Sequence, residues 1–320
     1  MLTAEETEAR LTEIPQLTIL RGVPLADYTR FGIGGPVDWL VDAASVPAFA
    51  AALEMARRAG LSHAVIGGGT NLVVSDAGFR GMVLRYRASA IRAEGARVTV
   101  DAGAELHDLM DFTVTQGLRG LETLAGIPGW VGGAIYGNAG AYGHSISERV
   151  ARVEYFDGAA VREMDNAACD FQYRESVFKR RKDWIILRAQ FAMDAADPAE
   201  LHATAEGIIA VRNRKFPPTM KCAGSIFKNL LVSGLPVCAL REVPDSAVRE
   251  GKVPAAWFLE RVGAKGMRRG GIRVADYHAN LIYNAGAGTA AELCSLIDEL
   301  HAKVQARFGI ALEPEVQFVG

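Results

Sequence analysis

Between Ile127 and Gly143 the chain reads Ile-Pro-Gly-Trp-Val-Gly-Gly-Ala-Ile-Tyr-Gly-Asn-Ala-Gly-Ala-Tyr-Gly, six glycines in seventeen residues set among aliphatic and aromatic side chains. Glycine loses more backbone freedom on folding than any other residue. Such density therefore needs a reason, either positive φ or close approach of backbone to another group. A flexible linker would space its glycines with Ser, Glu or Lys instead of Ile, Trp, Val and Tyr. The segment reads as buried backbone laid against a large, flat ligand. A second segment, Val65-Ile-Gly-Gly-Gly-Thr-Asn-Leu-Val-Val74, lies upstream. Together the two predict a dinucleotide cofactor held by two loops.

The chain has 320 residues, enough for two or three domains with separate cores. Half of them are apolar, 22% are charged and the net charge is −2, the balance of an ordinary globular enzyme. Basic residues are scattered apart from short clusters such as Lys179–Lys182, which gives no footprint for nucleic acid. Four cysteines (Cys169, Cys222, Cys238 and Cys294) lie far apart with no CxxC pair. Buried free thiols are expected, with no metal site and no disulfide framework. The acidic N-terminus lacks the pattern of a signal peptide, and no apolar run approaches membrane-spanning length. A cytoplasmic protein with no membrane insertion is expected.

Residues 3–13 have the pattern of a short amphipathic helix, and α/β patterning begins near Thr29. Ser45 caps a predicted helix with Pro47 in its first turn, stopped at Gly60; the strand His63–Ile66 then runs into Gly67–Gly69. Strands are predicted at 82–87 and 97–102, with a helix at 104–116 ended by Gly117. Asp157-Gly158 signals a hairpin between Val150–Phe156 and Ala160–Met164, and a strand follows at Trp184–Phe191. Asp197-Pro198 opens a long helix reaching about Arg214, where a domain boundary is expected before Pro217-Pro218. A helix at 253–262, a strand at Asn280–Tyr283 and a final helix capped by Thr289 and ended by Gly309 complete the pattern. The final helix carries the stripe Leu293, Leu296, Ile297, Leu300, Val304 and Phe308, which is core packing.

Taken alone, Gly67-Gly-Gly-Thr-Asn71 could be a tight strand-exit turn, or a loop whose amides converge on a pyrophosphate. It is neither a Rossmann fingerprint nor a P-loop, because the required spacing, following helix and Lys-Ser/Thr are missing. Phe31-Gly-Ile-Gly-Gly35 is weak by itself. Ser225, in Cys222-Ala-Gly-Ser-Ile-Phe-Lys-Asn229, sits in no nucleophile elbow, and on its own it reads first as a capping or turn residue.

In order along the chain, these segments resemble one family, the UDP-N-acetylenolpyruvoylglucosamine reductases. The resemblance rests on Thr29–Gly35, Gly67–Asn71, Ile127–Gly133 and Asn138–Gly143. It continues through Tyr173-Arg-Glu-Ser176, Gly224–Asn229, His278-Ala-Asn280 and Leu312-Glu-Pro-Glu-Val316. It implies an α+β protein: an FAD-binding fold of the p-cresol methylhydroxylase type, with two α/β lobes split near residue 80 over 1–214, plus a substrate-binding α/β domain over 215–320. The C-terminal strand near 312–320 would return to the active site. The implied cofactors are non-covalent FAD and NADPH as hydride donor, and the implied substrate is a UDP-sugar in peptidoglycan precursor synthesis. By the same resemblance Gly67, Gly68, Gly69, Thr70 and Asn71 would take the FAD pyrophosphate. Gly126, Ile127, Gly129, Gly132, Gly133, Asn138, Ala139 and Gly140 would line the flavin and ribityl chain, with Thr29 and Gly34 at the same cofactor edge. Arg174 and Glu315 would polarise the enolpyruvyl group and stabilise the enol, and Ser225 would protonate it. Lys215 and Asn229 match substrate-contacting positions, and His278 falls near another.

Three departures accompany the resemblance. Trp130 stands where the family usually has a small or hydroxyl residue, and Thr70 replaces a more usual serine. The chain between Arg174 and Ser225 is short for the substrate-covering tyrosine loop of one branch, which assigns this chain to the shorter branch. Residues 230–252 match no interpretable motif. Two rival readings remain at this stage: an oxidase or dehydrogenase on the same fold, and a flavin-binding protein without activity. The first commonly carries a flavin-linked histidine in the glycine loop, which reads Gly-Gly-Gly-Thr-Asn here, and the second would not need Arg174, Ser225 and Glu315.

Overall fold

A computed structural model describes residues 3–320 as two compact units. One comprises the chain up to Val23 with Val37–Gly68 and Arg80–Arg214; the other comprises Pro24–Pro36, Gly69–Phe79 and Lys215–Gly320. No helix among the described residues is long and apolar enough to cross a membrane.

In the first unit, local signals set the helices. Thr3 and Glu6 form a reciprocal capping box on Ala4–Thr12. The Ser45 hydroxyl caps Val46–Arg58, with Pro47 in the first turn where its missing N–H costs nothing. That helix buries Phe49, Ala52, Leu53 and Ala56 on one face. It lies on a four-stranded sheet ordered Leu17–Arg21, Val37–Ala43, Phe79–Tyr86 and His63–Val65. The first pair is antiparallel and the last parallel. A second, fully antiparallel sheet runs Val161–Asp165, Val150–Phe156, Ile185–Ala192, Arg97–Asp101, Ile91–Glu94. Its hairpin turns at Asp157-Gly158, where the Asp157 carboxylate accepts the amides of Ala159 and Ala160. Leu84 and Met82 of one sheet and Val98, Val153 and Phe191 of the other share a single apolar core. Helix Leu106–Thr115 packs on Pro198–Lys215 through Met110, Val114, Leu201 and Ala205.

The second unit is built on the antiparallel strands Arg268–Arg269, Ile272–Ala275 and His278–Asn284, with helices Ala255–Arg261 and Ala290–Phe308. The apolar stripe expected on the last helix is buried throughout, against Phe258, Leu259 and Val274. Gly309 ends the helix at φ 68, in the left-handed conformation that glycine takes without strain. Two segments distant in sequence belong to this unit because their apolar side chains have no other core: Phe31, Ile33 and Val73 are buried among those of 226–316. Strand Leu72–Val74 pairs in parallel with Gln317–Val319. Residues 230–252, uninterpreted from sequence, form short pieces: a helix at Val237–Glu242 and two 3-10 turns, closed at the base by Leu230–Leu231 pairing with Lys252–Val253.

Asp76 ties one of these distant segments to the last helix. Its carboxylate accepts the amides of Ala290 at 2.7 Å and Ala291 at 2.9 Å, two of the donors that a helix N-terminus leaves without partners. Asp76→Ala is expected to lower the unfolding free energy by about 1–2 kcal/mol, read as a lower urea midpoint with an unchanged slope. An unchanged midpoint would mean that water satisfies these amides equally well.

Candidate active site

In the first unit the glycine-rich segment is anchored along its length. The amides of Val131 and Gly132 donate to the carbonyls of Ala104 and Ala102, each at 2.9 Å, and the Gly129 carbonyl accepts the Leu106 amide at 2.8 Å. The Ile127 amide closes on Leu124, and Gly126 lies against the Arg212 side chain. A short helix, Val131–Tyr136, follows. Its two adjacent glycines differ in kind. A Cβ on Gly132 would stand 3.0 Å from that of Ala102, so this glycine serves internal packing. Gly133 is exposed, with nothing within 4 Å of a Cβ placed there.

The helix exits into Asn138, at φ 42 and almost fully buried. Its side-chain amide donates to the Gln172 carbonyl at 2.8 Å, and its Oδ1 accepts the Ser147 amide at 3.3 Å. Gln172 and Glu175 exchange backbone hydrogen bonds around a tight turn, at the tip of which Arg174 sits at φ 59. The Arg174 guanidinium donates to the carbonyls of Gly140 at 2.8 Å and Asn138 at 3.4 Å. Lys179 Nζ bonds both the Arg174 carbonyl and the Glu175 carboxylate at 2.9 Å. Ala139 completes the bend by donating to Ala134 and accepting from Ile146. Sequence reasoning named Arg174, Asn138, Ala139 and Gly140 separately; the structure joins them into one hydrogen-bonded cluster. It missed Gln172 and Lys179, ordinary polar residues whose partners lie across a turn.

In the second unit Ser225 opens an extended segment held on both sides. The Ile226 amide donates to the Asn280 carbonyl, while the Asn280 side chain accepts the Phe227 amide at 2.9 Å and donates to the Phe227 carbonyl at 2.8 Å. On the other side the Glu315 amide donates to the Ile226 carbonyl at 2.7 Å, and the Lys228 amide donates to Glu313. Asn71 joins this edge: its side-chain amide donates to the Glu315 carbonyl at 3.0 Å and its own carbonyl accepts the Gln317 amide. Ser225, Glu315 and Asn71 thus share one strand assembly. Lys228 is nearly buried and paired with Glu313. The Asn280 side chain holds this assembly together. It stands out in the sequence only as a polar residue opening an apolar strand.

Gly69 has φ 68, and a Cβ there would fall 1.8 Å from the Tyr28 carbonyl, so only glycine fits. Beside it the Thr29 hydroxyl donates to the Ile33 carbonyl at 2.9 Å and closes its own loop, and Gly34 lies against Val74. Asn229 accepts the Ala255 amide at the start of a helix, a structural task. Lys215 and His278 are brought together: the Lys215 carbonyl accepts the Tyr277 hydroxyl at 2.8 Å, and the Lys215 charge acts on the imidazole. Burial, then that positive charge, hold His278 down at about 4. Its Nδ1 accepts the Asn280 amide at 3.3 Å. The neutral ring therefore carries its proton on Nε2 and presents a donor.

The donors present fit a flavin dinucleotide. In the first unit the amides of Gly67 and Gly68 make no backbone hydrogen bond among the described residues, and in the second the same holds for Gly69 and Asn71. Such amides suit pyrophosphate oxygens, while Gly133 leaves an open face on the short helix Val131–Tyr136.

Residues 37–160 match the family described as FAD binding domain, and residues 216–319 match the one described as UDP-N-acetylenolpyruvoylglucosamine reductase, C-terminal domain. Among named relatives, the UDP-N-acetylenolpyruvoylglucosamine reductase of Solibacter usitatus (strain Ellin6076) is 63% identical over 97% of this chain and 100% of its own. That of Bacillus subtilis (strain 168) is 33% identical over 94% of each. The crystal structure of the corresponding reductase from Thermus caldophilus superposes with a TM-score of 0.74 at 28% identity, covering 95% of this chain and 100% of that one. Fold and site thus define an FAD-containing oxidoreductase with a separate C-terminal domain. The chain belongs to the UDP-N-acetylenolpyruvoylglucosamine reductase family.

The shielding of His278 has a consequence for stability. Unfolded, the imidazole takes up a proton near its ordinary 6.5; folded, it does so only near 4. Between those values the unfolded chain binds more protons, so this group's contribution to stability declines as pH falls through that window. His278→Gln is expected to melt with a flatter pH dependence than the parent over the same window. Equal slopes in the two proteins would show that the imidazole is not shielded.

Proposed function

We infer that Arg174, Ser225 and Glu315 are the catalytic residues of the reaction this chain carries out, the NADPH-dependent reduction of UDP-N-acetylglucosamine enolpyruvate to UDP-N-acetylmuramate in peptidoglycan precursor synthesis. Bound FAD supplies the hydride transfer, from NADPH to the terminal enolpyruvyl carbon. The first unit carries the FAD-binding role and residues 215–320 the UDP-sugar role. A reaction on a UDP-linked sugar with NADPH belongs to the cytoplasm.

The observation that carries the catalytic reading is the fixed guanidinium of Arg174, held by carbonyls of the glycine-rich segment itself. When hydride reaches the terminal carbon, electron density moves through C2 onto the carboxylate. A planar cation that cannot lose its proton suits that developing charge, and a preorganised donor of this kind contributes about 3–4 kcal/mol. Its turn, strained at φ 59, is held by the Gln172–Glu175 pair and by Lys179, so little reorganisation accompanies the reaction. Ser225 completes the balance by giving a proton to C2, which leaves a saturated ether. The hydroxyl of Ser225 is half-buried and makes no hydrogen bond among the described residues, and its backbone is held rigidly next to that of Glu315. Lys215 and the Nε2–H of neutral His278 offer a cation and a donor suited to a UDP-sugar.

Gly133 tests the cofactor half of this reading. Gly133→Val fills open space without touching its own unit, and is expected to weaken FAD retention about tenfold or more while leaving the melting of the apoprotein unchanged. Unaltered flavin content would remove the segment from the cofactor site. Gly132→Val would be uninformative because it strikes Ala102.

The half-reactions test the catalytic assignment. Ser225→Ala is expected to accept hydride from NADPH at the parent rate, with reoxidation by the enolpyruvyl substrate slowed roughly 10²–10⁴-fold. Ser225→Cys should recover part of the loss. Arg174→Lys, which loses the planar fork, should weaken both substrate affinity and reoxidation. Rapid-mixing absorbance of the flavin separates the two steps. Equal slowing of both steps in Ser225→Ala would make Ser225 a structural residue.

A further inference from the structure

The indole of Trp130 has no part in the reaction derived above, yet it lies against the first glycine loop. A Cβ on Gly68 would stand 3.0 Å from Trp130 Cδ1 and 3.1 Å from Nε1, and one on Gly67 would stand 3.8 Å from Cε3. The five-membered edge of the ring therefore backs Gly68, and the six-membered ring backs Gly67. The ring itself is pinned. Its Nε1 donates to Glu105 Oε1 at 2.7 Å, and the backbone of Trp130 bridges to that of Glu105. The Arg87 guanidinium lies 4.9 Å from the ring centroid, and that of Arg85, which forks onto Asp42, lies 5.7 Å away. Only 5% of the residue is exposed. A large aromatic with a satisfied N–H and cations beside its ring is a stiff wall, since it has few rotamers to lose.

The loop needs such a wall. The strand before it is last anchored by the Ile66 amide on the Leu84 carbonyl, the next backbone bond is that of the Arg30 amide to the Gly69 carbonyl, and between them the amides of Gly67 and Gly68 make no backbone bond among the described residues. Consecutive glycines explore many conformations, and ordering them on a ligand costs affinity unless something orders them beforehand. We propose that Trp130 is a positioning residue for the cofactor: its indole holds Gly67 and Gly68 in the conformation that takes the FAD pyrophosphate. The proposal rests on the FAD reading above. It also gives the large residue at this position a purpose, for a small side chain could not reach across to the loop.

Apoprotein titrated with FAD, followed by flavin fluorescence and paired with thermal melting of each apoprotein, tests this. Trp130→Phe keeps a ring against the loop and should bind FAD within about threefold of the parent, whereas Trp130→Ser should bind it at least about tenfold more weakly. Gly68→Ala pushes a methyl onto the five-membered edge and should also weaken binding about tenfold. Adding Trp130→Phe to Gly68→Ala removes that edge and should restore much of the loss, a non-additivity that independent sites would not show. The apoprotein melting temperature should move little in Gly68→Ala, which separates loop positioning from a stability defect. Should Trp130→Ser fail to fold, the Gly68→Ala pair decides alone. Equal FAD affinity in Gly68→Ala and in the double variant, or parent affinity in Trp130→Ser, would overturn the proposal. Failure of the FAD reading itself would appear separately, as absence of binding by the parent.

Discussion

Backbone that leaves a helix or sheet inside a protein must still satisfy its N–H and C=O groups, and leaving one unpaired costs roughly 1–3 kcal/mol. Each unit of this chain meets that demand with buried asparagines. In the first, Asn138 stands in for a missing strand between the Gln172 carbonyl and the Ser147 amide. In the second, Asn280 clasps Phe227 by both its amide and its carbonyl, and Asn284 accepts the amides of Gly286 and Gly288 while donating to the Phe31 carbonyl. A carboxylate could accept these bonds but not donate them, and an apolar residue could do neither. The residues proposed for catalysis stand on backbone that these side chains fix: Arg174 on the turn tied to Asn138, and Ser225 on the segment clasped through Asn280.

The two groups are fixed by different means. Arg174 belongs to a turn with a run of unusual torsions around it, Asn138 at φ 42, Tyr142 at φ 54 and Arg174 itself at φ 59. Each such residue costs about 1–3 kcal/mol and persists only where surrounding bonds overdetermine it. Here the guanidinium bonds to Gly140 and Asn138 return part of that cost, so the side chain and the loop stabilise one another. Ser225 and Glu315 instead lie on segments tied by isolated bridges and single backbone bonds, and neither residue takes a positive φ. In the proposed roles, a cation that meets developing charge gains from a shaped loop, whereas a proton donor needs chiefly a fixed position.

What was legible in the sequence follows from the range of each interaction. Helix ends written in local chemistry were readable within a residue or two: Ser45 before Val46–Arg58, Asp197-Pro198 before Pro198–Lys215, and Thr289 with Gly309 around Ala290–Phe308. The hairpin at Asp157-Gly158 was readable for the same reason. Strand Leu17–Arg21 was not, because it is short and defined by its partner at 37–43, while the C-terminal strand expected near 312–320 came from the resemblance and narrows to Gln317–Val319, defined by its partner at 72–74. The glycine-rich segment shows both outcomes in adjacent residues. Its density pointed to close approach, yet Gly132 approaches Ala102 and only Gly133 faces open space, and nothing in the sequence distinguishes the two. Thr29 and Asn229 were marked by resemblance as contact residues; the structure shows the local bonds that also hold them in place.

The division of the chain carries a final consequence for how it reaches its fold. The path changes unit after Val23, Pro36, Gly68, Phe79 and Arg214, so the segments Pro24–Pro36 and Gly69–Phe79 are made early in the chain but belong to a core completed only by residues beyond 214. Until then Phe31, Ile33 and Val73 have no buried place, Leu72–Val74 lacks the strand Gln317–Val319, and Asp76 has no helix to cap. Contacts between such distant residues carry a loop-closure cost that local helices avoid. The glycine loop is divided by the same path, Gly67 and Gly68 in one unit and Gly69 in the other. Its first half is braced by Trp130, its second by the close approach of Gly69 to the Tyr28 carbonyl. Each half of the loop therefore takes its shape from its own unit, and the second takes shape only once the C-terminal chain has supplied that unit's core.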